Sequence, residues 1–197
     1  MLSSEPILLD VSSLLDLSDD RVLLQLSAQN EHLRIETTPL HQLSILMATS
    51  DKTGKYNTKL TQQLANWSDI DELGTVYDSS TGFRMPKTGV VLSPDVSYIL
   101  NERLEALEDT SSFKTIAPDF VIELKSESDR LKVLIDKMLS YLENGVRLGW
   151  LIDTTTEQIH IYRLGGETSL HTFDEKLTGE DVLPAFEFNP RSIFKKK

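Results

Sequence analysis

The chain has no cysteine among its 197 residues, so disulfides and thiolate metal sites are excluded and a reducing compartment is the expected one. It has no apolar run near 18 residues, which excludes a helical membrane span. The first residues, Met1-Leu2-Ser3-Ser4-Glu5, lack the basic region and apolar core of a secretion signal, and the expected location is the cytoplasm. Positive charge is scarce: 20 Lys and Arg stand against 31 Asp and Glu, a formal net charge of −11. That balance counts against an indiscriminate nucleic-acid binder, which gains affinity by counterion release from phosphates. A local basic groove remains open, because steering depends on where charge lies. The terminal Lys195-Lys196-Lys197 reads as a solvated end. The four histidines, His32, His41, His160 and His171, form no metal-spaced pair. There is no P-loop around Gly54-Lys55, no G-x-S-x-G elbow, no internal repeat and no interdomain linker.

What is present reads as a mixed α/β protein, a central mixed β-sheet flanked by helices. One domain is expected over residues 1–197, with a helix-and-hairpin extension over 1–50, a core over 51–165, and a C-terminal hairpin and tail over 166–197. Residues 1–17 read as a leading arm. Ser18-Asp19-Asp20 caps a helix running to about Ala28. Leu33-Arg34-Ile35-Glu36 and Leu43-Ser44-Ile45-Leu46-Met47 form a hairpin around Pro39. Tyr56, Leu60, Leu64 and Trp67 recur at helical spacing over residues 53–67, with Lys52, Lys55 and Lys59 on the exposed side. A short surface helix over 102–108 and a loop at Thr110-Ser111-Ser112 follow. A helix over 129–144 is capped by Ser128 or Asp129 and ended by Gly145. Trp150-Leu151-Ile152 and Ile159-His160-Ile161-Tyr162 are strands. Gly165-Gly166 turns the chain into Ser169-Leu170-His171-Thr172-Phe173, which sets His160 facing His171. The end, with Pro184 and Pro190, wraps the core, and Trp67 and Trp150 fall at core positions rather than on a base-stacking platform.

Two phrases carry the chemistry: Pro94-Asp95, opening the run to Leu100, and Glu123-Leu124-Lys125, closing the run from Phe120. Charge within a strand pattern is costly to bury without compensation. Alternation puts Phe120, Ile122 and Leu124 on one face and Val121, Glu123 and Lys125 on the other. Glu123 and Lys125 are then about 7 Å apart along the strand. A carboxylate is a hard oxygen ligand suited to Mg²⁺ or Mn²⁺. A neighbouring lysine can orient or deprotonate water, or stabilise charge developing on a phosphate. A second carboxylate is needed from another element. Asp119 lies on the same strand as Glu123, about 13 Å away if extended, too far to share an ion. Asp95 lies on a separate strand that pairing could bring within about 5 Å. The plain alternative for Glu123 and Lys125 is an ion pair on a half-exposed strand.

These residues resemble the PD-(D/E)xK nuclease superfamily, and more closely the Uma-two family of restriction-type endonucleases. The resemblance extends from about Leu24 to Phe186. It is carried by Leu33-Arg34-Ile35-Glu36, Ser79-Ser80-Thr81-Gly82-Phe83, Ser93-Pro94-Asp95-Val96-Ser97, Pro118-Asp119-Phe120-Val121-Ile122-Glu123-Leu124 and Ser126-Glu127-Ser128-Asp129. Its most specific stretch runs from Lys137-Met138-Leu139-Ser140-Tyr141 through Gly145-Val146-Arg147-Leu148-Gly149 to Trp150-Leu151-Ile152-Asp153. The resemblance implies a restriction-endonuclease-like fold, Asp95 and Glu123 as metal ligands, and Lys125 as catalytic lysine. It puts Lys137 where the following helix lends a polar residue to the site, as a substrate-binding group; otherwise Lys137 is a solvated helix lysine. Related nucleases often place an acid on the helix before the sheet. Residues 53–67 offer none, only Asn57, Gln62, Gln63 and Asn66, and Glu36 could substitute or simply pair with Arg34.

The reading is therefore a Mg²⁺- or Mn²⁺-dependent endonuclease hydrolysing DNA, acting as a homodimer. A nuclease fold kept as a non-catalytic interaction or oligomerisation module is the alternative.

Overall fold

The computed structural model describes residues 6–46, 50–107 and 112–195. In chain order these form β1 (Ile7–Asp10), α1 (Asp20–Gln29), β2 (Arg34–Thr37), β3 (Gln42–Leu46), α2 (Asp51–Asp71), β4 (Gly74–Asp78), β5 (Phe83–Arg84), β6 (Val91–Leu92) and β7 (Val96–Leu100). There follow α3 (Asn101–Glu105), β8 (Lys114–Thr115), β9 (Phe120–Lys125), α4 (Leu131–Asn144), β10 (Leu148–Asp153), β11 (Gln158–Arg163), β12 (Thr168–Thr172), β13 (Leu177–Gly179), β14 (Leu183–Phe188) and α5 (Pro190–Ile193).

The central sheet has the order β12-β11-β10-β9-β7-β4. Only β9 and β10 run parallel; the other neighbours are antiparallel, so the sheet is mixed. Every residue of β9 and β10 is buried. That follows from their near-continuous apolar sequences, which suit a strand covered on both faces. On one face Phe120, Ile122, Leu124, Trp150 and Ile152 pack beneath Leu60 and Leu64 of α2 and beneath Phe186, Phe188, Ile193 and Phe194 of the chain's end. On the other face Val121 and Leu151 pack beneath Met138 and Tyr141 of α4, with Phe83 and Ile99. A smaller core of Leu17, Leu23, Leu43 and Val91 joins α1 and the three-stranded sheet β1-β3-β2 to β6.

Two local devices hold α4 in place. Gly145 ends the helix at φ +106°, a left-handed conformation that favours glycine, and the Gly145 and Val146 N–H groups donate to the Leu142 and Tyr141 carbonyls. At Gly149 a side-chain Cβ would lie 2.4 Å from Met138 Cε and 3.3 Å from Val121 Cγ2. Glycine there lets α4 approach the sheet closely.

The helical and strand periods locate most elements, and the differences have local causes. The leading arm contains β1, which pairs antiparallel with β3, Ile7 opposite Ile45. α2 runs longer than its apolar stripe because Ser50 caps its start and Glu72, at φ +57°, closes its end. The strand expected from Pro94 begins two residues later, at Val96, so Asp95 lies just before it. α4 starts at Leu131 with Arg130 as its cap residue and no side-chain capping bond; Asp129 Oδ2 accepts from the Ser126 N–H instead, at 2.7 Å. His160 stands opposite Leu170 and His171 opposite Ile159, so the two histidines lie on opposite faces. Trp150 is fully buried, and Trp67 is half-buried with its Nε1–H donating to the Pro184 carbonyl. The readings at residues 1–5, Met47, 108–111 and Lys196-Lys197 fall outside the described residues. Among the described residues no helix is long and apolar enough to cross a membrane.

Gly149→Val is expected to destabilise the fold by about 1–3 kcal/mol through overpacking under α4. Urea unfolding checks this; an unchanged midpoint would contradict the close approach.

Candidate active site

Strand register builds the site. β7 and β9 pair antiparallel through Val96 opposite Ile122. One further step sets Asp95 across from Glu123. There the backbone ladder gives way to a side chain: the Leu124 N–H donates to Asp95 Oδ2 at 2.9 Å. Asp95 is thereby tied to the backbone next to Glu123, and both are buried.

α4 and β2 supply the groups that meet them. Lys137 Nζ lies 2.9 Å from Glu123 Oε1 and 2.8 Å from Glu36 Oε1, and donates to the Ser93 carbonyl at 3.1 Å. Tyr141, four residues on and hence on the same helix face, donates its hydroxyl to Glu123 Oε1 at 2.9 Å. Glu36 Oε1 also accepts from the Ser93 N–H at 3.0 Å. Arg34 shares Glu36's strand face; its NH1 donates to Asp95 Oδ1 at 3.0 Å and its Nε lies 4.0 Å from Glu36. From α2, Asn57 Nδ2 donates to Asp95 Oδ1 at 3.4 Å, while its Oδ1 is buried without a hydrogen-bond partner.

The structure therefore gathers Asp95, Glu123, Lys137 and Glu36 at one place. Lys137 is an ion-paired group rather than a solvated lysine. Lys125 shares the Glu123 face but is directed along the sheet to its end. There Lys125 Nζ donates to Thr155 Oγ1 at 3.0 Å and to the Ser126 carbonyl at 3.2 Å, with Asp153 Oδ1 at 3.5 Å. The Glu123–Lys125 ion pair on a half-exposed strand is not what forms: the strand is fully buried and each residue has a different partner. Asp119 accepts from the Leu100 N–H at the end of β7, 19 positions away in sequence, at 3.0 Å and pairs with Arg103 at 2.9 Å. The sequence marks Arg34 only as a partner for Glu36 and marks no role for Asn57 or Tyr141. The Lys137–Tyr141 spacing and the alternation of Arg34 with Glu36 were the legible signals for two of them.

Electrostatics follow from burial. Removal from water disfavours the Glu123 carboxylate, and the Asp95 and Glu36 charges add to this. Lys137 and Arg34 offset only part, and the pKa stands at about 7. Burial opposes the charge on Lys137, but Glu123 and Glu36 outweigh it, so its pKa lies above the ordinary lysine value. Burial likewise opposes the Arg34 charge, which Asp95, Glu36 and Glu123 hold in place. Burial and the neighbouring carboxylates push Tyr141 well above the ordinary phenol value, which keeps it a donor.

The donor set fits a hard divalent cation. Three carboxylates against the two cationic groups Arg34 and Lys137 leave one formal negative charge. Among the described residues no three acidic or histidine side chains converge as a metal-holding group. Mg²⁺, however, is commonly held by one or two carboxylates with the remaining positions filled by water or substrate oxygens. The bonds named at Glu123 fall on Oε1, leaving Oε2 outside them, and Asn57 Oδ1 is a buried oxygen that lacks a donor. Such an unmet acceptor costs about 1–3 kcal/mol, which a cation or water would relieve.

The folded pKa of Glu123, about 7, lies above the free value of 4.5, so its contribution to stability is fully present below about pH 4.5 and lost as pH rises through 7. The Tm of Glu123→Gln should therefore gain on that of the native chain as pH rises from 4.5 to 8 in metal-free buffer. A constant difference would contradict the shift.

No curated protein matches the chain. A crystal structure of a putative nuclease belonging to DUF820 from Anabaena variabilis is similar, with a TM-score of 0.71 and 18% identity over 81% of this chain and 89% of that one. The likeness is one of fold, and the fold is restriction-endonuclease-like. The family model described as "Uma2: Putative restriction endonuclease" matches residues 21–191. With most of its length so matched, the chain belongs to the Uma2 (Uma-two) family.

Proposed function

We propose that the protein is a divalent-metal-dependent endonuclease that hydrolyses DNA phosphodiester bonds, with Asp95 and Glu123 holding Mg²⁺ or Mn²⁺. The observation that carries this is the burial of Asp95, tied to the Leu124 N–H, beside Glu123, which Lys137 holds. The family description and the fold likeness support the same reading. The cation, when bound, supplies Lewis-acid polarisation of a phosphoryl oxygen.

The chain's own residues do the rest. Lys137, held charged by two carboxylates, acts as a fixed positive charge for the reacting phosphate rather than as a base. Tyr141 and Lys137 together orient Glu123. Arg34, on Asp95, places a second positive charge at the site. Lys125, the catalytic lysine of the sequence motif, holds the carboxyl end of β9 against Asp153 and Thr155 and acts one step further from the reacting phosphate. Lys55 and Lys59, exposed on α2, give the acidic chain a local positive surface for the DNA backbone. Two copies paired about a twofold axis suit cleavage of both strands, and a cytoplasmic site of action belongs to the same reading.

The pairing of Arg34 with Asp95 also favours a second reading, in which the ion pairs are structural and the fold serves as an interaction or oligomerisation module. One assay separates the two. Supercoiled plasmid is incubated with Mg²⁺ or Mn²⁺ and the native chain, Asp95→Ala, Glu123→Ala, Lys137→Ala or Lys125→Ala. Nicking should require the metal and vanish in the first two variants. It should fall at least about 100-fold in Lys137→Ala and less in Lys125→Ala. Folded native protein that nicks no DNA form with either ion would favour the module.

A further inference from the structure

Asn57 reaches from α2 to the carboxylate cluster and is left incomplete there. Its Nδ2 donates to Asp95 Oδ1, and its backbone carbonyl accepts from Thr61 Oγ1 at 2.9 Å, but its side-chain Oδ1 is buried with no donor. The opposite orientation of the amide would set Oδ1 against the Asp95 carboxylate, two acceptors with no proton between them. The hydrogen-bond pattern therefore fixes the oxygen as the unmet atom. A buried acceptor without a donor is uncommon and points to a missing water or ion. Here it sits on the same amide as the group touching Asp95, in a cluster with residual negative charge. An amide carbonyl is also an ordinary ligand for a hard divalent cation.

We infer that Asn57 Oδ1 is a ligand of the cation held by Asp95 and Glu123, so that α2 contributes a neutral oxygen to the metal site. This rests on the metal-dependent reading above and extends it to a residue outside the motif. It also gives α2 a function beyond packing: its N-terminal half positions one ligand, while Leu60 and Leu64 anchor the helix on the opposite sheet face.

The alternative is that Asn57 only steadies Asp95 through Nδ2. The two roles respond oppositely to Asn57→Asp. That change removes the donor to Asp95 but supplies a charged oxygen where Oδ1 now lies. A ligand role tightens divalent-ion binding, and a steadying role weakens it.

The test is Mn²⁺ affinity without DNA, by calorimetry and by the loss of the free-ion electron paramagnetic resonance signal. The native chain is compared with Asn57→Asp, Asn57→Leu and Asp95→Ala, each first shown folded by circular dichroism. Expected are native binding, loss in Asp95→Ala, weakening of about tenfold in Asn57→Leu, and binding in Asn57→Asp tighter than native. Native binding that is lost in Asp95→Ala but unchanged in Asn57→Leu, or weakened in Asn57→Asp, overturns the role of Asn57 and leaves the metal site standing. Absence of Mn²⁺ binding by the native chain overturns both.

Discussion

The arrangement depends on one ammonium group. Lys137 Nζ is shared between Glu36 and Glu123, and those three residues come from α4, β2 and β9. The bridge therefore joins the N-terminal hairpin, the central sheet and the helix that covers it. Burial is what gives it weight. An exposed pair of this kind contributes little, whereas removing one member of a buried pair leaves an uncompensated charge and costs several kcal/mol. Burial outweighs the bridge at Glu123, whose pKa stands at about 7 rather than that of an ordinary carboxylate. A group so poised is costly as pure scaffolding and useful where a cation is to be bound.

Position at the site is set by backbone as much as by side chains. β7 stops pairing with β9 at Val96, and the next residue, Asp95, uses its carboxylate to satisfy the Leu124 N–H. That bond fixes Asp95 relative to Glu123 without a long, mobile side chain in between. Gly145 and Gly149 perform the matching service for α4. The first ends the helix and the second lets it lie close on the sheet, so that Lys137 and Tyr141 reach the same carboxylate. The apolar faces of the sheet then exclude water from around these charges.

The sequence made the sheet and the acidic pair readable for physical reasons. β9 and β10 are apolar on both faces, so Glu123 stands out as a charge that burial must compensate. The spacing argument against Asp119 also agrees with its observed partners, the Leu100 N–H and Arg103. What remained illegible depends on contacts between elements distant in sequence. Glu36 and Lys137 are 101 positions apart, and Arg34 and Asp95 are 61 apart, with no periodicity linking them. Alternation along β9 correctly put Lys125 on the Glu123 face, but says nothing of which way a long side chain turns. Asp153 and Thr155, at the end of the neighbouring strand, decide that. The β1 strand was hidden for a different reason: its four residues are all exposed, so no pattern of burial marks it.

The central claim is that Asp95 and Glu123 form a divalent-cation site under Lys137. Anomalous diffraction from crystals grown with Mn²⁺ tests it most directly. The account predicts a peak in contact with carboxylate oxygens of both Asp95 and Glu123, absent from crystals of Asp95→Ala. A well-ordered site in which Arg34 and Lys137 keep their ion pairs and no manganese appears at saturating concentration would contradict it.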